Sequence, residues 1–263
     1  MRRIDAGPWQ AWRGPIILIV SVFVVWQGLY LLAGDMAMRS PMQTFSYLGK
    51  LLAGDRIWPH IHETAKASAL AVVFSVVLGL AIGLALGFRK LAGEVFEPML
   101  VAAYSIPKLT LYPILLLSFG LGMSAKVAFG ALHGIIPIAL FTINAVRNIR
   151  PILIKTGRVL GYSPWEMGWR ILIPAALPEI FTGIRIGFSL TLIGTLLGEM
   201  FASQRGLGNQ LMKAIGLHDV DLIVAIAFLL TSVAALGSGI LLAIDRRFQT
   251  RMQTQPGHSP NSF

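Results

Sequence analysis

The chain has 263 residues, of which 55% are hydrophobic and only 13% charged, and its mean hydropathy of +0.71 lies outside the soluble-domain range. Its net charge of +10 comes without a soluble basic face, which excludes nucleic-acid binding and points to anionic lipid headgroups. With no cysteine it has neither disulfides nor thiolate metal sites.

In chain order, Met1-Arg2-Arg3 and the apolar core behind it resemble a signal peptide. The run is long for one and no small-x-small cleavage site follows closely, so a retained first span at 16–33 is expected. Further runs approaching the roughly 20 residues of a bilayer crossing lie at 67–88, 96–120, 126–146, 177–200 and 222–244. The predicted fold is therefore all-α and membrane-embedded, with about six transmembrane helices. The second span carries Gly79, Gly83 and Gly87 at four-residue spacing on one helix face, where small residues let backbones approach. The third is interrupted by Pro107, Lys108 and Pro113, a pattern tolerated where a broken helix faces protein or water. The last residues, 248–263, are rich in Gln, Pro, Ser and Asn and are expected to form an unstructured tail. Residues 1–63 are assigned to an N-terminal tail, first span and external loop, and 64–247 to the transport domain.

Between the fourth and fifth spans the chain turns polar, with Arg147, Arg150, Lys155, Arg158 and Arg170 close together. Pro151 suits a helix start and Gly161 a helix stop, where glycine permits the positive backbone angle of a sharp turn. Ser163, Pro164 and Glu166 then supply an N-cap, a first helical position and a carboxylate three residues after the cap. Pro174 and Pro178 limit how far this second helix runs undisturbed. Two short helices are predicted, placed on a membrane surface to be touched by a partner.

Placing both termini inside puts Arg2, Arg3, Arg13, Arg89, Lys90, Arg147, Arg150, Lys155, Arg158, Arg170, Arg246, Arg247 and Arg251 in interior segments. The exterior then holds Arg39, Lys50, Arg56, Lys66, Lys126, Arg205 and Lys213, which is 13 against 7 and agrees with the positive-inside rule. Lys108 and Arg185 remain within the membrane, where a charge is expensive and tends to be functional. They are candidates for the translocation pathway with Glu199, which sits near the interface at the far end of the fifth span. Anchoring by salt bridge or snorkelling competes with that role for Lys108, and a headgroup or Glu179 for Arg185.

No Gly-x-x-x-x-Gly-Lys-Ser/Thr phosphate loop and no Gly-x-Ser-x-Gly nucleophile setting occur, so neither ATP binding of that kind nor an enzyme is expected. His60, His62, His133, His218 and His258 are scattered, and no metal site or cofactor is predicted. An ion-gradient-driven transporter is the competing class; it would show inverted repeats and deep acidic groups.

Residues 155–174 are similar to the EAA loop of ABC-importer permeases: Glu-Ala-Ala, three residues, Gly, nine residues, Ile, any residue, Leu, Pro. Gly161, Ile171, Ile173 and Pro174 keep every spacing, while Lys155-Thr156-Gly157 stand where Glu-Ala-Ala is usual. The resemblance makes Pro151, Lys155, Thr156, Gly157, Arg158, Leu160, Gly161, Ser163, Ile171 and Pro174 the ATPase-coupling loop, about 147–173. Ile106-Pro107-Lys108, Pro113, Phe119-Gly120-Leu121-Gly122, Gly198-Glu199-Met200 and Gly206-Leu207-Gly208 resemble the sulfonate, taurine and nitrate importer permeases. It implies a type I importer of the bacterial inner membrane, with two permease subunits (by default a homodimer), two ATPase subunits and an extracytoplasmic substrate-binding protein. Small anions fit that branch; thiamine precursors, riboflavin and aromatic acids fit related ones. Reporter fusions at Gly54, Lys155 and Gln210 should read outside, inside and outside, and an external Lys155 would overturn the topology.

Overall fold

The computed structural model describes residues 8–253. Every regular element among them is helical: α1 (Pro8–Ala33), α2 (Pro41–Ala53), α3 (Trp58–Gly87), α4 (Lys90–Ser105), α5 (Tyr112–Phe119), α6 (Met123–Arg147), α7 (Pro151–Val159), α8 (Pro164–Met167), α9 (Ile173–Ala202), α10 (Leu207–Gly216) and α11 (Val220–Gln253). A 3₁₀ turn, Lys108–Leu111, precedes α5, and a π-helical turn, Gly168–Leu172, joins α8 to α9. Five helices are long and apolar enough to cross a membrane, and α4 with α5 makes a sixth if the bent pair is one span. Arg2, Arg3, His258 and the tail from residue 254 lie outside the described residues, although the segment expected to be unstructured is helical up to Gln253.

The core is α6, clasped between α3 and α9. Helices in lipid gain little from burying apolar surface against each other, so close packing and interhelical hydrogen bonds must hold them. Gly79, Gly83 and Gly87 face Ile138, Thr142 and Val146, residues themselves one helical turn apart on α6. A Cβ on Gly79 would stand 2.7 Å from the Ile138 Cβ, and one on Gly87 3.0 Å from the Val146 Cβ. On the other flank Gly183, Gly187 and Gly194 of α9 lie against Phe141, Ile138 and His133. At mid-depth the Ser75 hydroxyl bonds the Ala131 carbonyl (3.2 Å) and shares a hydrogen bond with Thr191 (2.9 Å), joining all three helices with fully buried groups.

The remaining elements wrap this core. At the end carrying the polar loop, Arg147 of α6 reaches Glu97 (2.5 Å) and the Lys90 carbonyl (2.9 Å), fixing the start of α4. At the opposite end, which the charge pattern above predicts to be the outer one, Arg39 makes a two-pronged bond to Asp221 at 2.6 and 3.0 Å, pinning the α1–α2 connection to α11. Trp26 adds a bond to the Arg39 carbonyl, and its ring packs beside Phe228.

The interruption expected in the third span is present: α4 and α5 meet at 88°, because Pro107 forces Ile106 into an extended conformation and cannot donate to the helix. Two sequence expectations need correction. The second span begins near Trp58 rather than at 67, since His60, His62, Glu63 and Lys66 lower hydropathy without breaking a helix. The second helix of the polar loop does not stop before the fifth span. From Trp165 to Phe201 the chain forms one helical run, and the wider π turn accommodates the missing N–H of Pro174.

Gly83→Val tests the packing, because its side chain would collide with Thr142 and the Ala139 carbonyl. A loss of about 1–3 kcal/mol is expected, read as a lower melting temperature in detergent. Gly49→Ala, with nothing within 4 Å of the new Cβ, should melt like the parent; equal melting of all three proteins would refute the close-contact account.

Candidate functional site

The polar loop is a compact hairpin. Helix α7 ends in a full glycine stop: Gly161 has φ +68, its N–H bonds the Arg158 carbonyl (3.1 Å), and Tyr162 N–H bonds the Gly157 carbonyl (3.0 Å). The chain then re-enters a helix through a capping box. Glu166 N–H donates to the Ser163 hydroxyl (3.3 Å), while the Glu166 carboxylate accepts from Ser163 N–H (3.1 Å) and its hydroxyl (3.0 Å). Gly157 is buried against Met167 and Ile171, so α7 packs closely on this stretch; a Cβ there would have to displace the Met167 thioether and the Ile171 Cδ1. Leu153 and Ile154 seat the hairpin on a buried cluster of Ala145, Ile149, Ala176 and Ile180 at the ends of α6 and α9.

What the hairpin leaves outside is a mixed apolar and cationic surface. Ile152, Val159, Leu160, Trp165 and Trp169 are exposed, Val159 by 86% and Trp165 by 79%, alongside Lys155, Thr156 and Arg158. Arg170 pairs with Glu166 at 3.8 Å and stacks on the Tyr162 ring. Pro151, Gly161 and Ser163 are exposed at the edges, and Ile171 and Pro174 are half-buried beneath. A large exposed apolar patch on a rigid support marks a contact surface.

A second feature lies within the spans. An open groove of about 620 Å³ along α9 and α11 is lined by Tyr104, Arg185, Ser189 and Ser238 among mostly apolar neighbours. Ser189 and Ser238 share a 3.3 Å hydrogen bond across its wall. Lys108 bonds the Tyr104 carbonyl at 3.0 Å and holds its ammonium 4.5 Å from the centre of the Tyr104 ring. Tyr104 thus carries Lys108 against it and lines the same groove as Arg185, while Lys108 itself does not line that groove. The Arg185 guanidinium has no hydrogen-bond or ion partner among the described residues.

Glu199 is placed elsewhere, fully enclosed at the outer end. It accepts from the Thr64 hydroxyl (2.7 Å) and Gly208 N–H (3.1 Å) and faces the Lys126 ammonium at 3.4 Å. Lys126, counted above among the exterior cations, is 1% exposed and also pairs with Glu63 at 2.9 Å. Sequence reasoning missed this because the partners lie on helices distant along the chain. A lysine in the first turn of an apolar span, next to acidic groups at the ends of two others, was the available signal. His60 accepts from Gly206 N–H (3.1 Å) and contacts Gln210, whereas the His133 ring sits in the core against Phe129. No cluster of metal-ligating side chains occurs among the described residues.

Glycine-packed spans and a docked polar hairpin make this an all-helical, multi-pass membrane protein. The chain belongs to the family of binding-protein-dependent transport system inner membrane components, whose pattern matches residues 75–254. It is 34% identical over 232 residues to the riboflavin transport system permease protein RibX of Chloroflexus aurantiacus, covering 87% of this chain and 86% of that protein. It is 29% identical over 225 residues to the putative aliphatic sulfonates transport permease protein SsuC of Escherichia coli, covering 83% and 85%. A chain of the inward-facing MetNI methionine ABC transporter superposes with a TM-score of 0.64 at 20% identity, covering 73% of this chain and 97% of that one, which shows the shared fold. The protein is an ABC importer permease subunit, a multi-pass component of the bacterial inner membrane.

Gly161→Val sets a β-branched side chain at a left-handed backbone angle, a cost of about 1–3 kcal/mol, and should tilt α7 off its seat. Transport and ATPase stimulation should fall severely while the spans still insert. Lys155→Glu should change little, since an exposed ion pair is worth about 0–1 kcal/mol. Full coupling in the first variant and none in the second would show that charge, not shape, carries the contact.

Proposed function

We propose that this subunit passes a small anionic solute, of the sulfonate, taurine or nitrate kind, into the cytoplasm. The observation behind this reading is that Arg185 lines a groove together with Tyr104, and that Lys108 lies against the same Tyr104. Two cations at membrane depth are costly unless they face water or an anion. Ser189 and Ser238 add hydroxyl groups for oxyanion contacts. Residues 64–247 form the transport domain in this reading, with both termini cytoplasmic.

Energy enters from outside the chain. Two ATPase subunits dock against the exposed face of α7 and the Trp165–Trp169 side of the hairpin, and hydrolysis is theirs. The hairpin is a suitable lever because its ends are closed by local hydrogen bonds and its inner face is packed, so it moves as one body. A second copy of this chain completes the pathway, and an extracytoplasmic binding protein delivers the solute and supplies most of the selectivity.

One relative favours a second substrate. The 34% identity to a riboflavin transport system permease supports a planar aromatic solute, for which the Tyr104 ring would be the stacking surface. The two readings separate in proteoliposomes carrying the whole transporter. Lys108→Ala and Arg185→Ala should each cut uptake of a radiolabelled sulfonate about tenfold or more, while Tyr104→Leu should be milder. Selective loss of flavin uptake in Tyr104→Leu would favour the aromatic solute. Unchanged uptake of both in the two cation variants, with normal assembly, would remove the cavity from the pathway.

A further inference from the structure

Two short glycine-containing segments far apart in sequence, Gly198-Glu199-Met200 and Gly206-Leu207-Gly208, form the facing halves of one device at the outer end. Helix α10 starts at Leu207 with no cap from its own residues. Its three leading N–H groups are instead captured one after another by side chains of other helices. Gly206 N–H donates to His60 (3.1 Å), Leu207 N–H to the Thr64 hydroxyl (2.8 Å), and Gly208 N–H to Glu199 (3.1 Å). The Thr64 hydroxyl in turn donates a hydrogen bond to the same Glu199 oxygen at 2.7 Å, so one hydroxyl bridges α10 and α9. The other Glu199 oxygen faces Lys126 of α6, which also takes Glu63 of α3 and the Arg205 carbonyl (3.3 Å).

The backbone is shaped to this contact. Gly206 has φ +121, and a Cβ there would overlap the Glu199 carboxylate itself. On Gly208 it would stand 2.7 Å from the Leu196 carbonyl oxygen, and on Gly198 3.1 Å from the Lys126 Cα. Only glycine at these positions lets the α10 entry, the end of α9 and the start of α6 meet. Behind them, Leu207 packs with Ile57 and Ile226, which adds an apolar floor.

Buried ion pairs contribute little net stability compared with apolar packing, and their better-attested use is to specify one arrangement. Here the arrangement spans α3, α6, α9 and α10. The lower end of the same 165–201 helical run carries the polar hairpin. We infer that Glu199, with Thr64 and Lys126, is a positioning latch that makes the outer ends of these four helices move as one body. A push on α10 from outside thereby reaches the helix that ends at the ATPase contact. This inference rests on the importer reading for its direction of force, but the latch is judged separately.

The first measurement is hydrogen exchange on the full chain in lipid nanodiscs. The amides of residues 206–208 should be protected, and Thr64→Val, nearly isosteric, should speed their exchange about tenfold or more. Free exchange in the parent protein would overturn the latch. In the whole transporter, protection should persist between the nucleotide-free and vanadate-trapped states; loss on trapping would show that the four ends separate. Thr64→Val and Glu199→Gln should lower solute uptake per ATP about tenfold while basal hydrolysis stays within about twofold. Unchanged coupling, or a joint loss of assembly, hydrolysis and uptake, would reduce the cluster to a fold-holding contact and overturn the inference. Failure to recruit any ATPase would fall on the importer reading alone, because the exchange measurement needs only this chain.

Discussion

A buried ammonium has to be answered by acceptors, and Lys126 sets the terms on which this chain can pack. Its carboxylate partners stand on α3 and α9, so the three central helices have one height relative to one another at the outer end. The glycine faces need that height. Gly79, Gly83 and Gly87 each meet a particular side chain of α6, and sliding either helix by a residue would set Cβ atoms against the contact. Small residues allow the approach and the ion cluster chooses its register, a division suited to a membrane, where apolar burial discriminates poorly.

The two ends of the molecule are built on opposite principles. At the outer end, charge is enclosed and hydrogen bonds run between helices. At the other, the hairpin closes its hydrogen bonds locally, through Gly161 and the Ser163–Glu166 box, and rests on the spans through an apolar cluster. A locally closed unit resting on an apolar seat can shift as a whole without breaking polar bonds. The π turn at Gly168–Leu172 is the one irregular stretch between that unit and α9. Any movement of the hairpin would reach α9 through that turn and α6 through the shared apolar seat.

The parts legible in the sequence are those whose causes are local. Pro151, Gly161, Ser163 and Glu166 announce two helix boundaries within a few residues of one another, and the structure has the stop and the cap at those residues. The glycine spacing in α3 likewise exposes its face without reference to a partner. Lys126 was illegible, because 63 and 73 residues separate it from Glu63 and Glu199 and hydropathy treats a paired charge like a free one. The same blindness hid the polar start of α3 and the whole of α10. The bend in the third span could be anticipated from Pro107, yet not its angle, and Pro174 gave no sign that a π turn would carry the helix past it.

The angle between α4 and α5 carries a consequence for where water can be. Around it the main chain leaves the helical ladder, and carbonyls are served by improvised donors: Tyr104 by Lys108, Pro107 by Thr110, Val101 by Ser105. These residues lie largely uncovered on the chain's own surface. Hydrocarbon does not tolerate exposed irregular backbone, so at membrane depth this break calls for protein or water against it. The side chains around it stay apolar, with Ile114, Leu117 and Phe119 exposed, so the perimeter is unequal in its backbone rather than in its greasiness. A membrane that surrounds the chain has only part of its outline to seal against.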